Sequence, residues 1–312
     1  MLKKAIALIS AAMLLAGSAC AEGTQSITVN ASGAAAVSRP SALSEGVNPL
    51  PINFMPGAAP QASGFVGELA YEDPSISVSI ETGRVDGCDT WVATIRIADA
   101  SQLRTVSAGG YNSDAAMSGT GMARRMKAVL AIDGDYFCYT GKGFILRQGE
   151  LFLNDLQGDR DVLMIDENGD FHVYYKPEAN SLSQTMDGLN MVNAFFFGPI
   201  LVDNGEALKV RGSNMAENEK RQRMCIAQVG PLEYKAICCA APARGSAGMT
   251  LQQFADFVAA QGVQTAYNLD GGDSCMMLFN YEKINDVRNT STRDICDIIY
   301  FASAYVPGEA AK

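Results

Sequence analysis

Residues 248–274, GMTLQQFADFVAAQGVQTAYNLDGGDS, place a helix, a strand and a tight acidic turn in one unbroken run. Thr250 and Gln253 stand three residues apart at the head of an apolar segment, the spacing at which a hydroxyl and an amide satisfy each other's backbone donors. Leu251, Phe254, Phe257 and Val258 then fall on one face of a 3.6-residue period, and Gly262 closes the helix. Val263 to Leu269 predicts a strand that runs into Asp270-Gly271-Gly272-Asp273-Ser274. Paired glycines let backbone approach a ligand closely while the side chains of Asp270, Asp273 and Ser274 converge. Asp-Gly is also ordinary hairpin punctuation, so this turn alone supports either reading.

Outward from that run, the pattern is strands and hairpins. WVATIRI (91–97) alternates as a strand does. GMARRMKAVLAIDGDYF (121–137) predicts a short helix over Met122 to Lys127, then a buried strand ending at Asp133-Gly134-Asp135. GFILRQGELF (143–152) and DVLMIDENGDFHVYY (161–175) read as hairpins turning at Gln148-Gly149 and Asn168-Gly169. FFFGPILVDNGEAL (195–208) is a strand interrupted at Gly198-Pro199, and RMCIAQV (223–229) with YKAICCAA (234–241) is a further hairpin. Few helices among many hairpins predict an α+β class: a mixed, largely antiparallel sheet with a few packed helices, in a single domain.

The first residues read as an export signal. Lys3 and Lys4 precede an apolar run from Ala5 to Ala16 that is too short to span a bilayer, and Ala19 and Ala21 frame a small-x-small cleavage pattern. The expected organisation is a signal peptide over 1–21, an Ala/Ser/Pro-rich linker or arm over 22–70, the folded domain over 71–306 and a tail over 307–312. A secreted or envelope-associated product follows. Cys20 offers a lipid-anchored alternative, against which Gly17 stands where a lipobox carries leucine. No transmembrane segment is expected after the signal.

A net charge of −10 argues against a nucleic-acid surface, which needs a basic stripe to displace counterions. Seven cysteines follow Cys20 (Cys88, Cys138, Cys225, Cys238, Cys239, Cys275, Cys296), an odd number without zinc spacing, so most are expected as buried thiols. His172, the sole histidine, lies in an alternating strand, which argues against histidine-rich metal sites and histidine triads. Asp166 to Asp170 lacks the spaced glutamate of an EF-hand and reads as a turn.

Two acidic turns, each closing an apolar strand, suit glycosyl transfer, in which one carboxyl protonates or orients a leaving group and another attacks, activates water or steadies an oxocarbenium-like centre. Arg147, Arg223 and Arg293 sit close by in sequence to such elements. A phosphate-bearing substrate gives such guanidinium forks a binding role.

Taken in order, AVLAIDGDYF, GFILRQGELF, FGPILVDNG, RMCIAQ, GMTLQQFADFVAAQG and AYNLDGGDS resemble the phosphodiester glycosidase family over roughly Trp91 to Ala304. The resemblance implies a hydrolase that cleaves an N-acetylglucosamine-1-phosphodiester to free sugar and a phosphomonoester, in envelope or exopolysaccharide metabolism. Asp135, Arg147, Gly198, Arg223, Ser246, Gly248, Asn268, Asp270, Gly271, Gly272 and Ser274 match the family pattern. It implies Asp270 with Asp135 or Asp133 as the catalytic pair. Arg147, Arg223, Asn268, Gly271, Gly272, Asp273, Ser274 and Gly198 are then expected to bind a carbohydrate or phosphoglycan substrate. Departures are present: Asp133 replaces the family's Asn and becomes an anion on this reading, Met224-Cys225 replaces Thr-Ala, and Ala227 replaces Gly. Ala240-Ala241-Pro242 stands where the family has Asp-Gly-Arg, with Arg244 a nearby substitute cation. The sequence assigns no definite cofactor, although oxygen-rich acidic loops suit Ca or Mg. Two alternatives remain: a catalytically silent glycan-binding protein of the same fold, and a hydrolase acting on peptidoglycan or teichoic-acid linkages.

Overall fold

The computed structural model describes residues 43–111, 113–210, 216–242, 245–285 and 292–308. The expected signal peptide, Cys20 and Arg244 lie outside the described residues.

Three sheets form the body, and every named strand pair among the described residues is antiparallel. The expected α+β class with largely antiparallel sheets is what the chain adopts. In the largest, nine-stranded sheet, Cys88–Ile97 pairs with Ile76–Val85 on one side and Glu233–Cys239 on the other. Arg223–Gly230, Thr265–Asn268 and Ile200–Asp203 follow in order. A second sheet is built around Gly143–Arg147, Val162–Asp166 and Leu189–Phe195. The third places Ala128–Asp133 between Met277–Phe279 and Asp297–Ala302.

One core joins all three: Ile80 and Ile95 from the first sheet, Leu163 and Phe195 from the second, and Leu130 and Ile299 from the third pack in a single buried cluster. The helix Leu251–Ala259 forms as its local sequence requires. Thr250 Oγ1 accepts from the Gln253 N–H, and Gln253 Oε1 accepts from the Thr250 N–H. Its buried face, Leu251, Phe254, Ala255 and Val258, packs on Leu201, Val202, Cys225 and Ile237 of the large sheet. Each of those larger side chains contributes roughly 1.5–3 kcal/mol by leaving water. The helix Gly119–Arg125 packs Met122 and Ala123 on Ala131, Ile298 and Tyr300 of the third sheet in the same way.

Within the stretch expected as an arm, the described part lies against the body. Val47 is fully buried and bridges Tyr305, Ala58 bridges Ser303, and Phe65–Val66 begins the large sheet. Cys138 and Cys296 form a disulfide, while Cys88, Cys225, Cys238, Cys239 and Cys275 are buried free thiols. His172 is half-buried and bonds Asp166 at 3.1 Å, and the Asp166 carboxylate accepts the Asn168 and Asp170 N–H groups, closing the turn.

Candidate active site

A cleft of about 400 Å³ opens where Thr265–Asn268 ends, lined by Asn268, Asp270, Gly271, Gly272 and Asp273 together with Arg221, Gln222, Arg223 and Arg293. Its acidic turn is held against the neighbouring chain by backbone. Gly272 donates its N–H to the Gln222 carbonyl at 3.1 Å, and a Cβ on Gly271 would lie 2.8 Å from that same oxygen. Only glycine fits so close an approach. Gly272 follows at φ +58°, in the left-handed region.

Asp270 is the acidic group at the centre of the turn. It is 6 % exposed, and its carboxylate accepts from the Gly271 N–H and from Arg293 Nη2, each at 2.8 Å. Arg293 Nε also donates to Ser274 Oγ at 2.6 Å, and its guanidinium lies 4.9 and 5.3 Å from the ring centroids of Tyr136 and Tyr139. Burial pushes the Asp270 carboxyl above its ordinary value, while Ser274 and Arg293 pull in the opposite direction. Ser274 is buried behind the turn, and Asp273 is exposed at the cleft.

The other acidic turn meets this one through backbone. Asp270 donates its N–H to the Gly134 carbonyl at 3.3 Å, and Met276 donates its N–H to Asp133 Oδ1 at 2.8 Å. Neither Asp133 nor Asp135 lines the cleft. Asp133 is 1 % exposed, its Oδ2 has no hydrogen-bond partner, and burial raises its carboxyl well above the ordinary range. Burial thus disfavours the anion expected from sequence and favours the protonated acid, which is close in shape to the Asn that the family carries there.

Asp135 belongs to a buried ionic cluster. Arg147 is fully enclosed and uses all five of its N–H groups on the protein. Nε and Nη2 donate to Asp297 Oδ2 at 3.0 and 2.9 Å, Nη2 also to Asp135 Oδ2 at 3.2 Å, and Nη1 to the carbonyls of Leu146 and Ala194. Phe195 lies beneath it with its centroid 4.3 Å from Cζ. Asp135 also accepts the Phe196 and Tyr136 N–H groups. The expectation that Arg147 grips phosphate is thus corrected: no donor is left over and no surface is exposed. Asp135 is likewise committed to the fold.

Arg293, singled out in the sequence with Arg147 and Arg223 but not placed among the expected binding residues, lines the cleft, which Arg147 does not. A signal for the rest was present: Asp297 heads an apolar strand, where a charge needs a partner. Arg223 does reach the cleft, with Nη2 donating to the carbonyls of Ala216 and Glu219 at 2.8 and 2.9 Å. Arg221 beside it pairs with Glu219 at 2.6 Å.

Two buried acceptors on the cleft, Gln222 Oε1 and Asn268 Oδ1, have no hydrogen-bond partner in the protein. Asn268 is oriented by Nδ2, which donates to the Gly198 carbonyl at 2.8 Å, immediately before the cis bond to Pro199. Gly198 itself has φ +72° and lines an adjoining hollow rather than this cleft. Ser246 and Gly248 lie away from it; Ser246 Oγ accepts the Asp89 N–H at 3.3 Å. No group of three His, Cys, Asp or Glu side chains among the described residues could hold a metal ion.

The phosphodiester glycosidase family model matches residues 126–302. No curated protein matches the chain. Among solved structures, the fold is similar to the catalytic domain of zebrafish N-acetylglucosamine-1-phosphodiester alpha-N-acetylglucosaminidase, auto-inhibited by its pro-peptide. That similarity has a TM-score of 0.59 at 18% identity and covers 79% of this chain and 86% of that one. A hypothetical protein from Synechocystis is also similar, with a TM-score of 0.50 at 16% identity over 72% of this chain and 62% of that one. With more than half of its length matched, and with both glycine-flanked acidic turns inside the matched region, the chain belongs to the phosphodiester glycosidase family.

Proposed function

We propose that the protein is an exported glycosidase that hydrolyses a sugar-1-phosphodiester of the N-acetylglucosamine-1-phosphodiester kind in envelope or extracellular glycans. The observation that carries this reading is the Asp270–Arg293 pair at 2.8 Å in a cleft that Arg221 and Arg223 also line. In a net-acidic protein, four guanidinium groups (Arg160, Arg221, Arg223 and Arg293) lining one cleft with Asp270 and Asp273 favour a substrate with an anionic and a neutral polyol part. The partnerless oxygens of Gln222 and Asn268 suit the hydroxyl or amide donors of a sugar. The family membership and the name of the zebrafish relative support the same substrate class.

A phosphomonoester leaves as a stable anion, so cleavage at the anomeric carbon asks little of a general acid. What it requires is negative charge near the developing oxocarbenium centre. Asp270 supplies that charge when ionised, and Arg293 holds it in place and favours ionisation. Arg223 and Arg221 hold the diester oxygens and stabilise the charge that accumulates on the departing phosphate. Asp133 acts beneath the site, tying its turn to Met276 just past the other, while Asp135 helps hold the buried Arg147. The apolar run behind Lys3 and Lys4 supports export, and no helix among the described residues is long and apolar enough to cross a membrane.

The catalytic assignment is tested with Asp270→Asn. Wild type releases N-acetylglucosamine from a panel of its 1-phosphodiesters, and the variant loses about 10²–10⁴-fold in kcat while still binding them. A second reading, silent glycan binding, is favoured by the absence of a second carboxylate from the Asp133 turn at the cleft and by Ala240-Ala241-Pro242 in place of Asp-Gly-Arg. Wild-type binding of the diesters without release of sugar would establish that alternative.

A further inference from the structure

A second hollow, of about 310 Å³, adjoins the cleft: Arg160 and Phe197 line both. Beyond them it is lined by Tyr175, Lys176, Pro199 and Lys209. Its cations set it apart. Neither Arg160, Lys176 nor Lys209 forms a salt bridge with any described residue, in a protein whose formal net charge is −10. Two acidic residues are present, but the Asp161 carboxylate is occupied by the Lys176 and Ile200 N–H groups at 3.2 and 3.1 Å, and Asp159 is exposed.

The hollow also offers a flat surface. Tyr175 is 54 % exposed, yet its hydroxyl donates to Asp203 Oδ2 at 2.6 Å, which holds the ring in place. Arg160 is steadied by Phe196, whose ring centroid lies 5.7 Å from its Cζ. A fixed aromatic face beside cations that form no salt bridge among the described residues matches a chain of sugar rings that carries repeated negative charge.

Resting on the reading above, we propose that this hollow is a second subsite, which binds the next phosphodiester-linked sugar of a polyanionic glycan while the first diester lies at Asp270. The protein then acts on a polymer or its ends in preference to an isolated sugar phosphodiester. Lys176 and Lys209 determine that preference. Because they lie outside the Asp270 cleft, they leave the chemistry at the first diester unchanged.

The test uses two probes: the methyl phosphodiester of N-acetylglucosamine-1-phosphate, and a linear tetramer of N-acetylglucosamine joined by phosphodiesters. Their binding is measured by calorimetry to full-length Asp270→Asn protein, with and without Lys176→Ala/Lys209→Ala. The expected result is a tetramer that binds more tightly than the methyl diester and is weakened about tenfold by the double lysine change, with the methyl diester shifted less than twofold. Lys176→Arg/Lys209→Arg retains tetramer binding. A tetramer that binds no tighter than the methyl diester, or equal weakening of both probes, overturns the subsite. Turnover by wild type is scored separately. If the lysine dependence holds while no sugar is released, the subsite stands and the hydrolytic reading fails.

Discussion

Arg293 Nη2 lies 2.8 Å from Asp270 Oδ2, although the two residues are 23 positions apart and enter from different strand ends. Arg293 lies four residues before the start of the strand Asp297–Ala302 of the third sheet, and Asp270 follows Thr265–Asn268 of the first. The pair therefore joins two sheets at the mouth of the cleft, and the charge on Asp270 depends on that junction.

Removing this partner alters the pH profile. Burial raises the Asp270 carboxyl and Arg293 opposes the rise, so Arg293→Ala moves it further above its ordinary value. If Asp270 acts ionised, the acid limb of kcat/KM lies above the ordinary aspartate range in wild type and shifts to higher pH in the variant. Arg293→Lys shifts it less. An unmoved limb would show that another group governs ionisation.

Arg147→Met tests the buried cluster. It leaves Asp135 and Asp297 enclosed without their shared cation, at a cost of about 3–5 kcal/mol of stability read by urea unfolding. Arg147→Lys rescues little, because an ammonium has three donors where five are used. In whatever fraction remains folded, KM for the methyl diester stays within about twofold, since Arg147 is fully buried and does not line the cleft. A large rise in KM with unchanged stability would return Arg147 to a phosphate-binding role.

The two glycines of the turn respond differently. Gly271→Ala drives a methyl to 2.8 Å from the Gln222 carbonyl, a backbone atom, and displaces Asp270. Gly272→Ala has open space around it and meets only the strain of φ +58°, about 1 kcal/mol. We expect Gly271→Ala to lower kcat far more than Gly272→Ala, measured on the same diester. Equal effects would indicate that the turn moves as a unit.

Local structure was the legible part of the fold. The capping box of Leu251–Ala259 and the turns at Gln148-Gly149 and Asn168-Gly169 are formed by residues within a few positions of one another, and each appears where its residues predict it. The class followed from the same patterns. Long-range pairing was not legible: nothing in YKAICC says that it lies beside WVATIRI, more than a hundred residues earlier. The site divides in the same manner. Asp270 and its glycines announce themselves in one turn, whereas Arg147 and Arg293 look alike as local sequence. What separates them is Asp297, 150 residues from Arg147, which draws one guanidinium into the core and leaves the other at the cleft. Burial of Asp133, which raises its carboxyl, depends equally on distant neighbours such as Cys275 and Met276.

The role given to Asp270 requires that water attack the sugar carbon and not phosphorus. Hydrolysis of the methyl diester of N-acetylglucosamine-1-phosphate in ¹⁸O-enriched water, with products followed by ³¹P NMR and mass spectrometry, tests it most directly. Attack at carbon leaves methyl phosphate free of ¹⁸O and puts the label in the newly released sugar. Label in the phosphate would mean P–O cleavage and would contradict the role given to Asp270.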